Sequence, residues 1–480
     1  MLRRVPAQPP ALPRDTAALR TLADQAFSRT AGAPLVAGNA ARVLRDATEN
    51  YPAWEAAIQS ARVSVHVEMY IFHFDKVGHR FVGLLADKAR QGVAVRVVYD
   101  WFGCGWAPLR GLFRPLVQAG GDVRVFNPPT LRSALGWVRR DHRKLITVDG
   151  RVAYVSGLCV GQVWQGQPER GLEPWRDTGI EIIGPAVAHA EAAFAESWRL
   201  AGGSAAECLE TLPTDQGTPG SVDLRLIPTE PFTGNLLRLD LFVTALARQR
   251  LWITDAYFIG TGPYLEALKR AAHDNVDVRL LLPKSSDVNW TVPISRSLYR
   301  PLLEAGVRIF EWNGTMIHAK TAVADSRWGR IGSTNLNLNS WIGNWEMDVA
   351  FEDQALACTL EAHFEEDMSR STEIVLGGVR NALSPAPTRS AAPTQKRHQA
   401  SRRLVRTVTG VGRSLGAAVT GNRQLEEFEA MPLAAAGALL AVTSAVAFVA
   451  PWVLAWPAGA LGVWVAVTFF VEAWKARRRK

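Results

Sequence analysis

Histidine and lysine two positions apart, followed by aspartate, occur twice in this chain of 480 residues. Asp141-His142-Arg143-Lys144-Leu145-Ile146-Thr147-Val148-Asp149 and Ile317-His318-Ala319-Lys320-Thr321-Ala322-Val323-Ala324-Asp325 both read His-x-Lys-x4-Asp. On an extended strand residues i and i+2 project from one face, so His142 and Lys144 point together, as do His318 and Lys320. Each pair can reach one phosphate. An unassisted phosphodiester needs a nucleophile, a leaving-group acid and positive charge on its phosphoryl oxygens. Two His-Lys pairs supply all three without metal or cofactor.

A catalytic imidazole also needs a carboxylate on its other nitrogen to fix its tautomer. By order along the chain the candidates are Asp177, 35 residues after His142, and Glu346, 28 residues after His318. Asp149-Gly150 is a strong hairpin signal and Asp325-Ser326 a weaker one, which gives Asp149 and Asp325 a structural role at tight turns. Folding back there brings Gly157 roughly opposite His142, and Ser333 to Asn335 roughly opposite Lys320 and His318. Ser333 and Asn335 are therefore candidate phosphate donors. The corresponding first-half positions are Gly157 and Cys159, so that half lacks the Asn. Tyr70 and Tyr257 end equivalent apolar runs and are candidates to line the pocket.

The elements that must position these groups repeat at a spacing of about 180 residues. In the first half Val63–Phe72 reads as a strand, Phe81–Gln91 as a helix and Val93–Tyr99 as a buried strand. Leu251–Ile259, Tyr264–Ala272 and Val276–Leu282 follow the same order in the second. Short strands at Val123–Phe126 and Val307–Phe310 precede the two His segments. The expected architecture is α/β, with a largely parallel sheet in each half and a pseudo-two-fold relation between halves.

The paired motifs resemble the HKD signature of the phospholipase D superfamily, and the second continues into Gly332-Ser333-Thr334-Asn335 as that family does. Within it, Trp175-Arg176-Asp177-Thr178, Gly184-Pro185-Ala186-Val187 and Asn344-Trp345-Glu346 are similar to bacterial cardiolipin synthases. The resemblance covers about residues 36 to 376. It implies two phospholipase D-like repeats sharing one active site, a phosphohistidine intermediate on His142, and His318 as general acid and then base. Lys144 and Lys320 would hold the phosphoryl oxygens. The implied substrates are phospholipids, phosphatidylglycerol among them, with cardiolipin the product; the alternative is a phospholipase D hydrolase that uses water.

Composition bounds the rest. The net charge is +9. From Arg380 onward fourteen Lys and Arg face four acids, a net of +10, so residues 1–379 sum to about −1. A superfamily nuclease would want a basic groove, and a near-neutral body argues against nucleic acid. From Ala430 to Val471 runs a stretch of 42 residues without charge, too long for one membrane span of about 20 residues. It fits a helical transmembrane hairpin, Leu433 to Ala450 and Ala458 to Trp474, broken between Pro451 and Pro457 and flanked by basic residues at both ends. The positive-inside rule then sets both ends, and the catalytic body, on the cytoplasmic side of a bacterial cell membrane, with the basic segment against anionic lipid. Met1–Asp15 has no apolar core and does not read as a signal peptide. Cys104, Cys159, Cys208 and Cys358 lack metal or disulfide spacing. The expected segments are an extension (1–35), two repeats (36–205 and 206–378), a basic linker (379–429) and the hairpin with its basic tail (430–480).

Overall fold

Runs rich in valine, isoleucine and leucine become fully buried strands, which requires a layer on each face of the sheet. Such strands include Ser64–Met69, Lys144–Val148 and Glu346–Phe351. The computed structural model describes residues 16–128, 139–210, 212–213 and 215–381, with isolated positions between 434 and 464.

In chain order the first half contributes β1 (Val36–Arg45), β2 (Ser64–Met69), β3 (Ala94–Asp100), β4 (Asp122–Phe126), β5 (Lys144–Val148), β6 (Val152–Ser156) and β7 (Thr178–Ile183). The second contributes β8 (Val222–Thr229), β9 (Arg250–Thr254), β10 (Asp277–Pro283), β11 (Arg308–Trp312), β12 (Thr321–Ala324), β13 (Trp328–Gly332) and β14 (Glu346–Phe351), then β15 (Ser371–Val375) and β16 (Gly378–Asn381). The spatial order is β4-β3-β2-β5-β6-β7-β1 in one half and β11-β10-β9-β12-β13-β14-β8 in the other, joined where β1 pairs with β8. The repeat in sequence is thus a repeat in topology, in a mixed α/β fold.

The expected helices lie at Lys76–Arg90 and Gly262–His273. Asp75 starts the first by accepting from the Gly78 amide at 2.9 Å, which satisfies one of the orphan donors of the opening turn. The sheets depart from expectation. Only β2, β3 and β4, and likewise β9, β10 and β11, are mutually parallel. The motif strands β5 and β12 run antiparallel to β2 and β9, and β6, β7, β13 and β14 extend the antiparallel part. A tight hairpin after each motif can only return antiparallel, which sets β6 against β5 and β13 against β12.

At those hairpins Asp149 and Gly150 have φ of 52° and 61°, and Asp325 and Ser326 have 51° and 53°. Two successive positive φ angles make the turn whose twist matches paired strands, and glycine takes it at least cost. Ser326 has a Cβ and is held by donating from Oγ to both Glu361 oxygens, at 2.9 and 3.0 Å.

One core cluster draws on both halves. It joins Leu145, Val155 and Ile182 of the first half to Ile331, Met347 and Val349 of the second, with Phe194 and Trp198 from the helix Val187–Leu200 and Phe364 from Gln354–Ser369. The strands β13 and β14 lie against β5, β6 and β7, so the motif strand β5 packs on the strand that begins with Glu346.

The transmembrane hairpin proposed for 430–480 falls almost wholly outside the described residues. Among the described residues no helix is long and apolar enough to cross a membrane. Val453 and Trp456, placed above in the break between spans, have helical backbone.

Candidate active site

Each histidine sits just before its strand and is tied to the opposite half through the main chain. The His142 amide donates to the Trp345 carbonyl at 2.8 Å, and the His318 amide to the Arg176 carbonyl at 2.7 Å. The residue after each acceptor is a carboxylate, so these bonds deliver Glu346 to His142 and Asp177 to His318. Nδ1 of His142 lies 2.7 Å from Glu346 Oε2, and Nδ1 of His318 lies 2.7 Å from Asp177 Oδ2. The pairing is crossed, and it corrects the assignment by chain order. Proximity in sequence misleads because each histidine segment bridges to the segment that leads into the other half's carboxylate, Asp141 to Trp345 and Ile317 to Arg176.

A carboxylate on Nδ1 holds the ring proton there and leaves each Nε2 free. Both imidazoles, both lysines and both carboxylates are buried. Lys144 Nζ donates to its own histidine's carbonyl at 2.6 Å, and Lys320 makes the same bond to the His318 carbonyl. Tyr70 lies edge-on to His142 with ring centroids 4.8 Å apart, and Lys144 Nζ is 5.1 Å from the Tyr70 centroid. Tyr257 repeats this at 5.8 Å from His318 and 5.6 Å from Lys320. Both tyrosines therefore line the pocket.

Burial pushes each imidazole down to about 4; Lys144 adds to this at His142 and Lys320 at His318, while the paired carboxylates oppose it. Each lysine also bears on the imidazole of the other half, so the four groups form one electrostatic unit. Burial likewise lowers Lys144, and lowers Lys320 to about 8. Burial opposes ionisation of Glu346 and Asp177, but the imidazole, lysine and hydrogen-bond donors around them outweigh it and hold both low. At neutral pH the site holds two neutral imidazoles, two carboxylates and two ammonium groups, whose charges cancel. A phosphodiester placed among them adds a negative charge and favours the protonated form of an imidazole, the form that a leaving-group acid needs.

Ser333 supports this site through the carboxylate: its Oγ donates to Glu346 Oε2 at 2.6 Å. Asn335 is buried, its Nδ2 3.5 Å from Ser340 Oγ and its Oδ1 without a donor. Asp149 and Asp325 lie at the far ends of β5 and β12, seven residues past the histidines and about 23 Å along an extended chain at ~3.3 Å per residue. They are not part of the reacting cluster. Asp149 accepts the amides of Arg62, Val63 and Ser64, and Asp325 those of Arg248, Gln249 and Arg250, clipping each motif hairpin to the start of β2 or β9.

Several groups escaped the sequence reading. Trp164 donates from Nε1 to Asp177 Oδ2 at 3.2 Å and lies edge-on to His318, which Trp175 also flanks. Asn344 donates to Glu346 Oε1 at 3.2 Å. Arg143 Nε donates to the Glu346 carbonyl at 3.2 Å, and Arg176 Nε to both Asp367 oxygens at 2.9 Å, so buried guanidiniums hold the backbone that carries each carboxylate. Arg143 and Arg176 stand inside quoted motifs and Asn344 two residues before Glu346; Trp164 carries no such signal.

The two halves solve the same packing problem differently. Eight residues past the motif aspartate stands Ser333 in the second half and Gly157 in the first. Aspartate is one methylene shorter than glutamate, and the backbone at 157 closes the gap: a Cβ there would meet Asp177 Oδ1 at 2.1 Å. Gly157→Ser is expected to drive Asp177 off His318 and reduce turnover by roughly a hundredfold, whereas Ser333→Ala removes one hydrogen bond and costs about tenfold. Comparing the two rates, with circular dichroism to verify folding, checks this; equal effects would contradict it.

Two pseudo-equivalent halves that exchange carboxylates around one His-Lys cluster define the phospholipase D-like class. A family model described as "Cardiolipin synthase, PLD-like domain" matches residues 55–161 and 244–368. A cardiolipin synthase of Halalkalibacterium halodurans is 31% identical over 362 residues, 74% of this chain and 71% of that one. Cardiolipin synthase A of Pseudomonas syringae pv. syringae is 31% identical over 81% of this chain and 78% of its own length. Among solved structures, phosphatidylserine synthase of Haemophilus influenzae Rd KW20 superposes with a TM-score of 0.56 at 14% identity, covering 73% of this chain and 91% of that one; it shows the fold. The chain belongs to the cardiolipin synthase family of phospholipase D-like proteins.

Proposed function

We propose that the chain is a phosphatidyltransferase that makes cardiolipin from two molecules of phosphatidylglycerol through a phosphohistidine. The observation that carries this reading is the pair of imidazoles, each oriented by a carboxylate of the other half, with both lysines beside them. His142 Nε2 attacks phosphorus, and the bond from phosphorus to the glycerol oxygen breaks. His318 supplies the proton that lets glycerol leave. The second phosphatidylglycerol then gives up its hydroxyl proton to His318, its oxygen attacks phosphorus, and the bond to His142 breaks. Lys144 and Lys320 stabilise the charge that builds on the phosphoryl oxygens in both steps. Ser333 acts through Glu346, and Asn335 serves as a further donor. Relatives named cardiolipin synthase, alike over most of their length, support the same substrate class.

The body is held at a bacterial cell membrane on its cytoplasmic side. Support comes from the charge-free 42-residue stretch with basic flanks, and from Val442, Trp456 and Val463, which lie exposed on helical backbone. There a lipid hydroxyl outcompetes water for the phosphohistidine. The expected result of incubating membranes bearing the protein with labelled phosphatidylglycerol is cardiolipin with one glycerol released per cardiolipin formed. Phosphatidic acid as the main labelled product would replace transfer with hydrolysis.

A further inference from the structure

Parallel strands end on one edge of the sheet, and the site lies at that edge: Tyr70 and Tyr257 follow β2 and β9. The exposed aromatic side chains of the described body cluster there. They are Phe74, Phe102, Trp106, Phe232 and Trp290. Phe74 comes five residues after β2. Phe102 and Trp106 follow β3, Trp290 follows β10, and Phe232 lies three residues beyond Thr229, which pairs with Glu346. Trp106 is 74% exposed and Trp290 61%, values at which a core role is excluded.

Contacts connect this rim to the catalytic cluster. Gly103 packs so closely on Tyr70 that a Cβ would meet its ring at 2.8 Å, and Tyr70 touches His142. In the second half the Tyr257 hydroxyl donates to Asp287 at 2.7 Å, three residues before Trp290. Guanidiniums stand over the rim's rings: Arg110 5.7 Å from the Phe74 centroid and Arg139 4.5 Å from that of Phe232. Aromatic rings interleaved with long basic side chains are the composition of a surface seated at the headgroup level of a bilayer, ring inward and charge outward. Exposed apolar patches of this kind mark interaction sites.

We infer that this rim docks the site mouth against a phospholipid bilayer, so that a phosphatidyl headgroup enters without its acyl chains leaving the membrane. The inference rests on the proposed lipid substrate for its purpose, but its position at the bilayer can be read independently.

Two measurements on the full chain test it. In a Cys358→Ser background, an environment-sensitive dye is placed at Trp106→Cys and, on the opposite edge, at Val63→Cys. With vesicles of phosphatidylglycerol and phosphatidylcholine, the dye at 106 is expected to shift to the blue and be quenched by nitroxide lipid, while the dye at 63 stays unchanged. Equal responses at both positions, or none at 106, overturn the inference whatever the chemistry proves to be. In the second, Trp106→Ser/Trp290→Ser is assayed on vesicles and on monomeric short-chain phosphatidylglycerol. Turnover on vesicles should fall by at least about tenfold, with the short-chain rate unchanged. Equal losses on both substrates, or a concentration-dependent dimer that the double substitution abolishes, overturn it. Lack of turnover of either substrate by the unaltered protein would instead sink the transferase reading, with the dye experiment still deciding the rim.

Discussion

His142→Ala and His318→Ala are each expected to lower cardiolipin formation by at least about a thousandfold, and to differ in what they leave behind. Loss of the nucleophile removes both chemical steps. Loss of the acid removes the proton that glycerol needs on leaving, and the base that the second alcohol needs on arriving. A phosphodiester with a nitrophenolate leaving group separates the two, because that group departs as an anion without a proton. On it His318→Ala should release close to one equivalent of nitrophenolate and then stall, since the covalent intermediate forms but has no base to complete transfer. His142→Ala should release none. The mirror result would exchange the roles of the two imidazoles, which stand in nearly equivalent surroundings.

The second large effect follows from the crossed carboxylates. Glu346→Gln and Asp177→Asn keep size and lose charge, so each should leave its imidazole in the wrong tautomer at a cost of roughly 10²- to 10⁴-fold. Because the pairing is crossed, Glu346→Gln should behave as a defect of His142 and show no nitrophenolate burst. Asp177→Asn should behave as a defect of His318 and keep the burst. Pairing by chain order predicts the reverse, so the same assay distinguishes the two arrangements. Gln and Asn can still hydrogen-bond Nδ1, which keeps the buried site from being left with an unpartnered ring nitrogen.

Much of this site is visible in the amino-acid sequence because it is built from local rules. The i, i+2 spacing of His142 with Lys144 and of His318 with Lys320 determines a shared face, and Asp149-Gly150 determines a hairpin; each needs only a few neighbouring residues. The crossing does not, since 204 residues separate His142 from Glu346 and 141 separate His318 from Asp177. No periodicity in either half encodes which face of its twin it meets. The mixed character of the sheets was also hidden. Strands β2 and β3 announce themselves as valine-rich runs, whereas β1 and β8, which join the halves, carry arginine, asparagine or proline among their apolar residues. Gly157 shows the limit well. In sequence it reads as a missing donor, and in space it is the room that Asp177 requires.

The covalent intermediate is the most direct test of two half-sites acting as one. His318→Ala protein mixed with the nitrophenyl phosphodiester, labelled in its phosphate, should, after rapid quenching at alkaline pH and digestion, carry label on the peptide that contains His142. That label should be stable to base and lost in acid, as a phosphoramidate is. Label on a serine or aspartate peptide, or no covalent label while unaltered protein still makes cardiolipin, would contradict the account.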